Sequence, residues 1–177
     1  MIKIKHSLII VALFLVCLDN YSQKSYFFAG CMFLDIEYKG TVHIYDRPGG
    51  KIITTLKNDI DNENFVTFNI LQDSDTMFQV SAFYTLNEDS IISTGWIKKN
   101  DNLGIFTRGY GDLMLYKSPN KEEKVIVPEN SVYSINMWIV TDSQGEWLKV
   151  KATVDGKKYE GWLSPEMQCC NVYSTCS

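Results

Sequence analysis

Histidine, proline and long apolar runs are scarce in this chain of 177 residues, and clusters of basic residues are missing. Of the two histidines, His6 lies in the N-terminal stretch and His43 alone falls in the body of the chain. A Ser-His-Asp triad needs only one, but nothing resembles a nucleophile elbow, and His43 sits in a two-periodic pattern of strand type. No basic run exceeds two residues, so the electrostatic footprint for nucleic acid or an anionic membrane is absent. No glycine-rich phosphate loop and no CxxC…CxxC zinc pattern occurs. Asp59-Ile60-Asp61-Asn62-Glu63 begins like a calcium loop, but Asn64 occupies the glycine position and Ile70 the place of the closing glutamate. That segment, with Asp73 and Asp75, reads as solvated loop. The sequence therefore assigns no metal, no cofactor and no catalytic residue. A small hydrolase remains the least favoured class, because two converging carboxylates need leave no linear pattern.

The one long apolar run is Leu8–Leu18, preceded by Lys3 and Lys5 and followed by Asn20-Tyr21-Ser22-Gln23. Eleven apolar residues are too few to span a bilayer comfortably, and the layout is that of a secretory signal peptide over 1–22. Cys17 invites a lipoprotein reading, but Val16 stands where a small residue is wanted. Of 17 basic side chains Lys3 and Lys5 precede position 23, and of 21 acidic ones only Asp19, which leaves a net charge of −5 beyond it. The expectation is an exported protein, periplasmic or extracellular, without a transmembrane segment once the leader is removed.

Four cysteines follow the leader: Cys31, Cys169, Cys170 and Cys176. An even count in an exported chain favours disulfides over metal or redox chemistry. The favoured pairing is Cys169–Cys176 with Cys31–Cys170, and the swapped pairing stays open beside it.

What the chain does have is an internal echo. Tyr45-Asp46-Arg47-Pro48-Gly49-Gly50-Lys51-Ile52-Ile53 leads to Gly95-Trp96-Ile97, and Tyr116-Lys117-Ser118-Pro119-Asn120 with Lys124-Val125-Ile126 leads to Gly161-Trp162-Leu163. The tyrosines are 71 positions apart and the Gly-Trp pairs 66, so one small folding unit is used twice. Thr41–Tyr45, Phe65–Phe68, Met77–Phe83 and Trp147–Lys151 alternate as strands do. Pro48-Gly49-Gly50, Ser118-Pro119-Asn120 and Ser143-Gln144-Gly145 mark turns, and Asp155-Gly156 is the strongest hairpin signal. No twelve-residue segment shows a capped helical stripe. The chain reads as all-β, with units over 23–100 and 101–177 joined by the polar linker Lys98–Asn102.

These motifs resemble the bacterial SH3 domain: a strand ending in an aromatic residue, a Ser/Arg-x-Pro turn, Lys-Val-Ile, and a closing Gly-Trp. The second unit carries the pattern best, through Leu115–Asn120, Lys124-Val125-Ile126, Trp147–Val150 and Gly161-Trp162-Leu163. In the first unit Phe78-Gln79-Val80 stands where Trp-x-x-Val is usual. The resemblance implies two tandem SH3-like β-barrels packed through the short linker, and the tail Gln168–Cys176 is similar to cysteine-paired endings of exported SH3-like proteins. Eukaryotic SH3 signatures are not matched, so polyproline recognition does not carry over.

Trp96, Trp147 and Trp162 are then expected as structural anchors, the glycines before Trp96 and Trp162 letting backbone pass close by. Tyr45 and Tyr116 occupy equivalent places before the Pro turns and, with Asp46, are the candidate ligand-binding residues. Tyr84, Tyr110 and Tyr133 also lie beside turns or strand ends. The function expected from this surface is a non-catalytic binding module for a cell-wall peptide or glycan or an exported protein. An immunity or inhibitor protein with one dedicated partner is the alternative.

Overall fold

In the computed structural model, which describes residues 30–108, 112–119, 123–133, 135–174 and 176, the Asp155-Gly156 signal closes a hairpin. Both residues take positive φ, 50° and 75°, as a tight turn matched to strand twist requires. The strands it joins are β11 (Trp147–Val154) and β12 (Lys157–Leu163). Before them come β1 (Cys31–Leu34), β2 (Val42–Tyr45), β3 (Ile52–Leu56), β4 (Val66–Asp73), β5 (Met77–Tyr84) and β6 (Ser93–Lys98). Next are β7 (Leu103–Thr107), β8 (Leu113–Tyr116), β9 (Lys124–Val127) and β10 (Trp138–Gln144), while a two-residue β13 (Gln168–Cys169) ends the series. The α-helix described is the five-residue Glu129–Tyr133. The fold is all-β, and the signal peptide expected over 1–22 lies outside the described residues.

The strands form one antiparallel sheet in the order β3-β2-β6-β5-β4-β1-β7-β10-β11-β12-β8-β9, with β13 added on β7. Adding six to each label in the first half gives the second half read from the opposite edge. The repeat holds residue by residue. Tyr45 faces Trp96 as Tyr116 faces Trp162, and Val80 faces Gly95 as Val150 faces Gly161. Even the irregularities recur, since the ladder shifts between Ile70 and Gln72 and again between Val140 and Asp142. At the centre β1 and β7 pair through Phe33–Gly104 and Leu34–Leu103, so an approximate two-fold relates the halves there. The path is a continuous sheet with β3 and β9 as its two edges.

Central strands buried on both faces lose the alternation that marks a half-exposed strand. Cys31-Met32-Phe33-Leu34 is buried at every position, and Leu103, Gly104 and Ile105 are buried in β7. One apolar core runs through both halves, from Ile44, Phe68 and Phe78 to Leu115, Trp138 and Leu148. The Lys98–Asn102 segment is a tight turn: Leu103 N–H donates to Asn100 O at 3.3 Å, and Asp35 N–H to Asn102 O at 2.8 Å.

Lys99 in that turn is not a solvated linker residue. Its Nζ lies 2.6 Å from Asp73 Oδ1 on β4 and 2.8 Å from Asp142 Oδ1 on β10, so one ammonium bridges the halves. Asp73, expected in a solvated loop, is only 15% exposed and also accepts from Ser143 N–H. The β4–β5 hairpin folds against β10, and the carboxylate is carried inward with a counter-ion. Burial is the largest influence on Asp73 and raises its pKa, while Lys99 and the Ser143 amide pull the other way.

Candidate functional site

Tyr45 ends β2, and the Pro48-Gly49-Gly50 turn then reverses the chain into β3. Asp46 closes this turn by accepting from Lys51 N–H at 2.9 Å, while Gly50 N–H donates to Arg47 O at 2.9 Å. Asp46 is exposed but already committed to the turn, so its carboxylate works first as a local staple. In the second half Lys117 holds the same place and makes an ion pair with Glu123. The local sequences differ in charge, yet each fixes a tyrosine at the mouth of a turn.

Both tyrosines are half-buried. Lys98 Nζ sits 5.5 Å from the centre of the Tyr45 ring, within cation–π range. Tyr116 meets Trp147 edge to face, with ring centroids 5.6 Å apart and planes at 85°. Beyond each turn an edge strand shows aliphatic surface: Ile52 and Ile53 are each 51% exposed in β3, and Ile126 is 52% exposed in β9. Each end of the sheet thus carries a half-exposed tyrosine, a Pro turn and an aliphatic edge. Such surface offers a flat amphipathic ligand ring stacking and backbone hydrogen bonds.

Trp96, Trp147 and Trp162 are likewise half-buried and line the same ladders. The fully buried tryptophan is Trp138, 1% exposed on β10, which belongs to none of the sequence motifs. Its partner in the repeat is the buried Phe68, and that equivalence is the signal that could have found it. Gly95 and Gly161 pack where no side chain fits: a Cβ would lie 2.5 Å from Tyr45 O at the first and 2.8 Å from Leu115 Cβ at the second.

The other candidates fall elsewhere. His43 is half-buried in β2 with Nδ1 3.0 Å from Thr55 Oγ1. Asp59 and Asn62 bond to each other in an exposed 3₁₀ turn, and among the described residues no three potential ligands converge on a metal site. Tyr84 donates its hydroxyl to Lys57 O, while Tyr110 and the Tyr133 side chain lie outside the described residues. Cys169 and Cys176 form a disulfide with Cα atoms 5.7 Å apart. Cys31 and Cys170 are buried thiols in mutual contact, 139 positions apart, packed beside Phe33. Comparison with protein-family models, curated proteins and solved structures finds no match for this chain.

Proposed function

We propose that the protein is an exported, non-catalytic binding module made of two SH3-like units, which recognises a cell-wall peptide or glycan, or another exported protein, through its aromatic surface. The observation that carries this reading is the duplicated arrangement of Tyr45 against Trp96 and Tyr116 against Trp162, each beside a Pro turn. Aromatic residues supply contact area at low entropic cost, and each well-placed ring pair contributes roughly 0.5–1.5 kcal/mol beyond its burial. Export is supported by the leader-like N-terminal sequence and by the Cys169–Cys176 disulfide, a bond that persists in oxidising compartments. No helix among the described residues is long and apolar enough to cross a membrane.

The exposed isoleucines of β3 and β9 favour a second reading, a dedicated protein partner that covers one edge of the sheet. The test is a binding assay with muropeptides and with proteins captured from the envelope, comparing wild type with Tyr45→Ala and Tyr116→Ala. Loss of muropeptide binding with retained thermal stability supports the wall-ligand reading. Unchanged binding with a lowered melting temperature makes both tyrosines framework residues and removes it.

A further inference from the structure

Cys31 and Cys170 meet at the junction of the whole fold. Cys31 opens β1, where it faces Asn69 on β4, and β1 pairs on its other side with β7. Cys170 directly follows β13, which also pairs with β7, through Gln168–Thr107 and Cys169–Phe106. The two thiols therefore hold the beginning and the end of the described fold on a shared central strand. Both are 4% exposed, and both line a cavity of about 210 Å³ together with Thr67, Asn69, Thr85 and Glu88. The cavity wall mixes two hydroxyls, an amide and the carboxylates of Glu88 and Asp89 with the sulfurs and the Phe83 ring, so a small polar reagent can be solvated at the thiols.

We propose that Cys31 and Cys170 form a thiol–disulfide exchange site, in which a low-molecular-weight disulfide entering this cavity oxidises the pair to a Cys31–Cys170 bridge. The electron balance closes within that reaction. The Cys31 thiolate attacks one sulfur of the small disulfide, whose S–S bond breaks, and the expelled thiolate takes up a proton. Cys170 then attacks the mixed disulfide at Cys31, forming the internal S–S bond and releasing the second small thiol. Two protein thiols are oxidised, one external disulfide is reduced, and two small thiols leave. Burial is the main influence raising the pKa of the Cys170 thiol, followed by its hydrogen bond with Cys31, so Cys170 stays protonated during the first attack and passes its proton to the departing small thiolate as it resolves the mixed disulfide.

The bridge would tie β1 to the tail beside the existing Cys169–Cys176 bond. Neighbouring Cys169 and Cys170 would then serve different partners, one local and one across the molecule.

The experiment uses the full mature chain, purified under mild reduction that leaves Cys169–Cys176 intact and then exposed to glutathione disulfide. Thiols are counted by alkylation after denaturation and located by peptide mapping. The expected result is loss of both alkylatable thiols without a lasting glutathione adduct, and a linked pair of peptides carrying Cys31 and Cys170. Cys170→Ser should instead trap one glutathione on Cys31, because the resolving sulfur is gone. Two thiols that remain alkylatable in the wild type overturn the proposal. So does a map joining Cys170 to Cys169 or Cys176, or wild type that keeps its glutathione. The outcome is independent of whether muropeptides bind.

Discussion

Tyr116 and Trp162 face each other across the β8–β12 ladder, the pairing Tyr45 and Trp96 make across β2 and β6. The glycine before each tryptophan makes that approach possible. Gly95→Ala should destabilise more than Gly161→Ala, because its new methyl group meets Tyr45 O at 2.5 Å and Ile44 Cγ2 at 2.6 Å, against 2.8 and 3.0 Å to Leu115 Cβ and Tyr116 O. Overpacking of this kind costs about 1–3 kcal/mol, and urea denaturation of the two variants measures the order.

Lys99 is the ammonium on which two carboxylates depend. Lys99→Met leaves Asp73 buried without its counter-ion and should cost about 3 kcal/mol, as broken buried pairs do. Asp142 is 48% exposed, so Asp142→Asn should cost about 1 kcal/mol or less. Equal losses in the two variants would remove the bridging role assigned to Lys99.

The same cluster sets a pH dependence. Burial opposes the Lys99 charge, but hydrogen bonds to Asp142 and Asp73 outweigh it and raise its pKa above the ordinary 10.5. Its contribution is complete below 10.5 and is lost as pH rises through the higher folded value. Burial opposes the Asp142 charge too, but the Lys99 hydrogen bond prevails and lowers that carboxyl below 3.8, so its contribution is lost as pH falls through the depressed value. Asp73, shifted upward, works against the fold as it ionises above 3.8. Melting temperatures of wild type and Lys99→Met should therefore converge on the alkaline side, and a constant gap would contradict the assignment.

Cys176→Ser opens a disulfide loop with a sequence separation of seven. Chain entropy for a loop of that size gives a loss of about 2.5 kcal/mol, read as a lower melting temperature for the variant under non-reducing conditions. If reductant lowers wild type to the melting temperature of Cys176→Ser and leaves that variant unchanged, the Cys169–Cys176 bond is the one that reductant breaks.

The all-β class, the duplicated Tyr and Gly-Trp motifs and the Asp155-Gly156 hairpin were legible because each is local. Alternation marks a strand with one wet face, and two positive φ angles mark a turn. The central strands β1 and β7 were not legible: Cys31–Leu34 is apolar at every position, and such a run carries no period. Trp138 escaped for a related reason, sitting in an apolar stretch whose depth depends on β7 pairing beside it. Asp73 looked like a loop carboxylate until Lys99, 26 residues later, was brought to it. Of the candidate site, the equivalence of Tyr45 and Tyr116 could be read from spacing, whereas the Trp147 ring against Tyr116 required the folded sheet.

Gln168 is wholly buried, yet its side chain is satisfied: Oε1 accepts from Gly30 N–H at 2.8 Å, and Nε2 donates to Glu146 O at 2.6 Å. The consequence is one of timing. The Gly30 contact spans 138 residues, so this bond cannot form until Gln168 has been made. Contacts of such sequence separation slow folding, because loop closure must come before the reward. A chain emerging N-terminus first can pair β1 with β4 and β7 while the Gly30 amide just ahead of β1 still waits for Gln168.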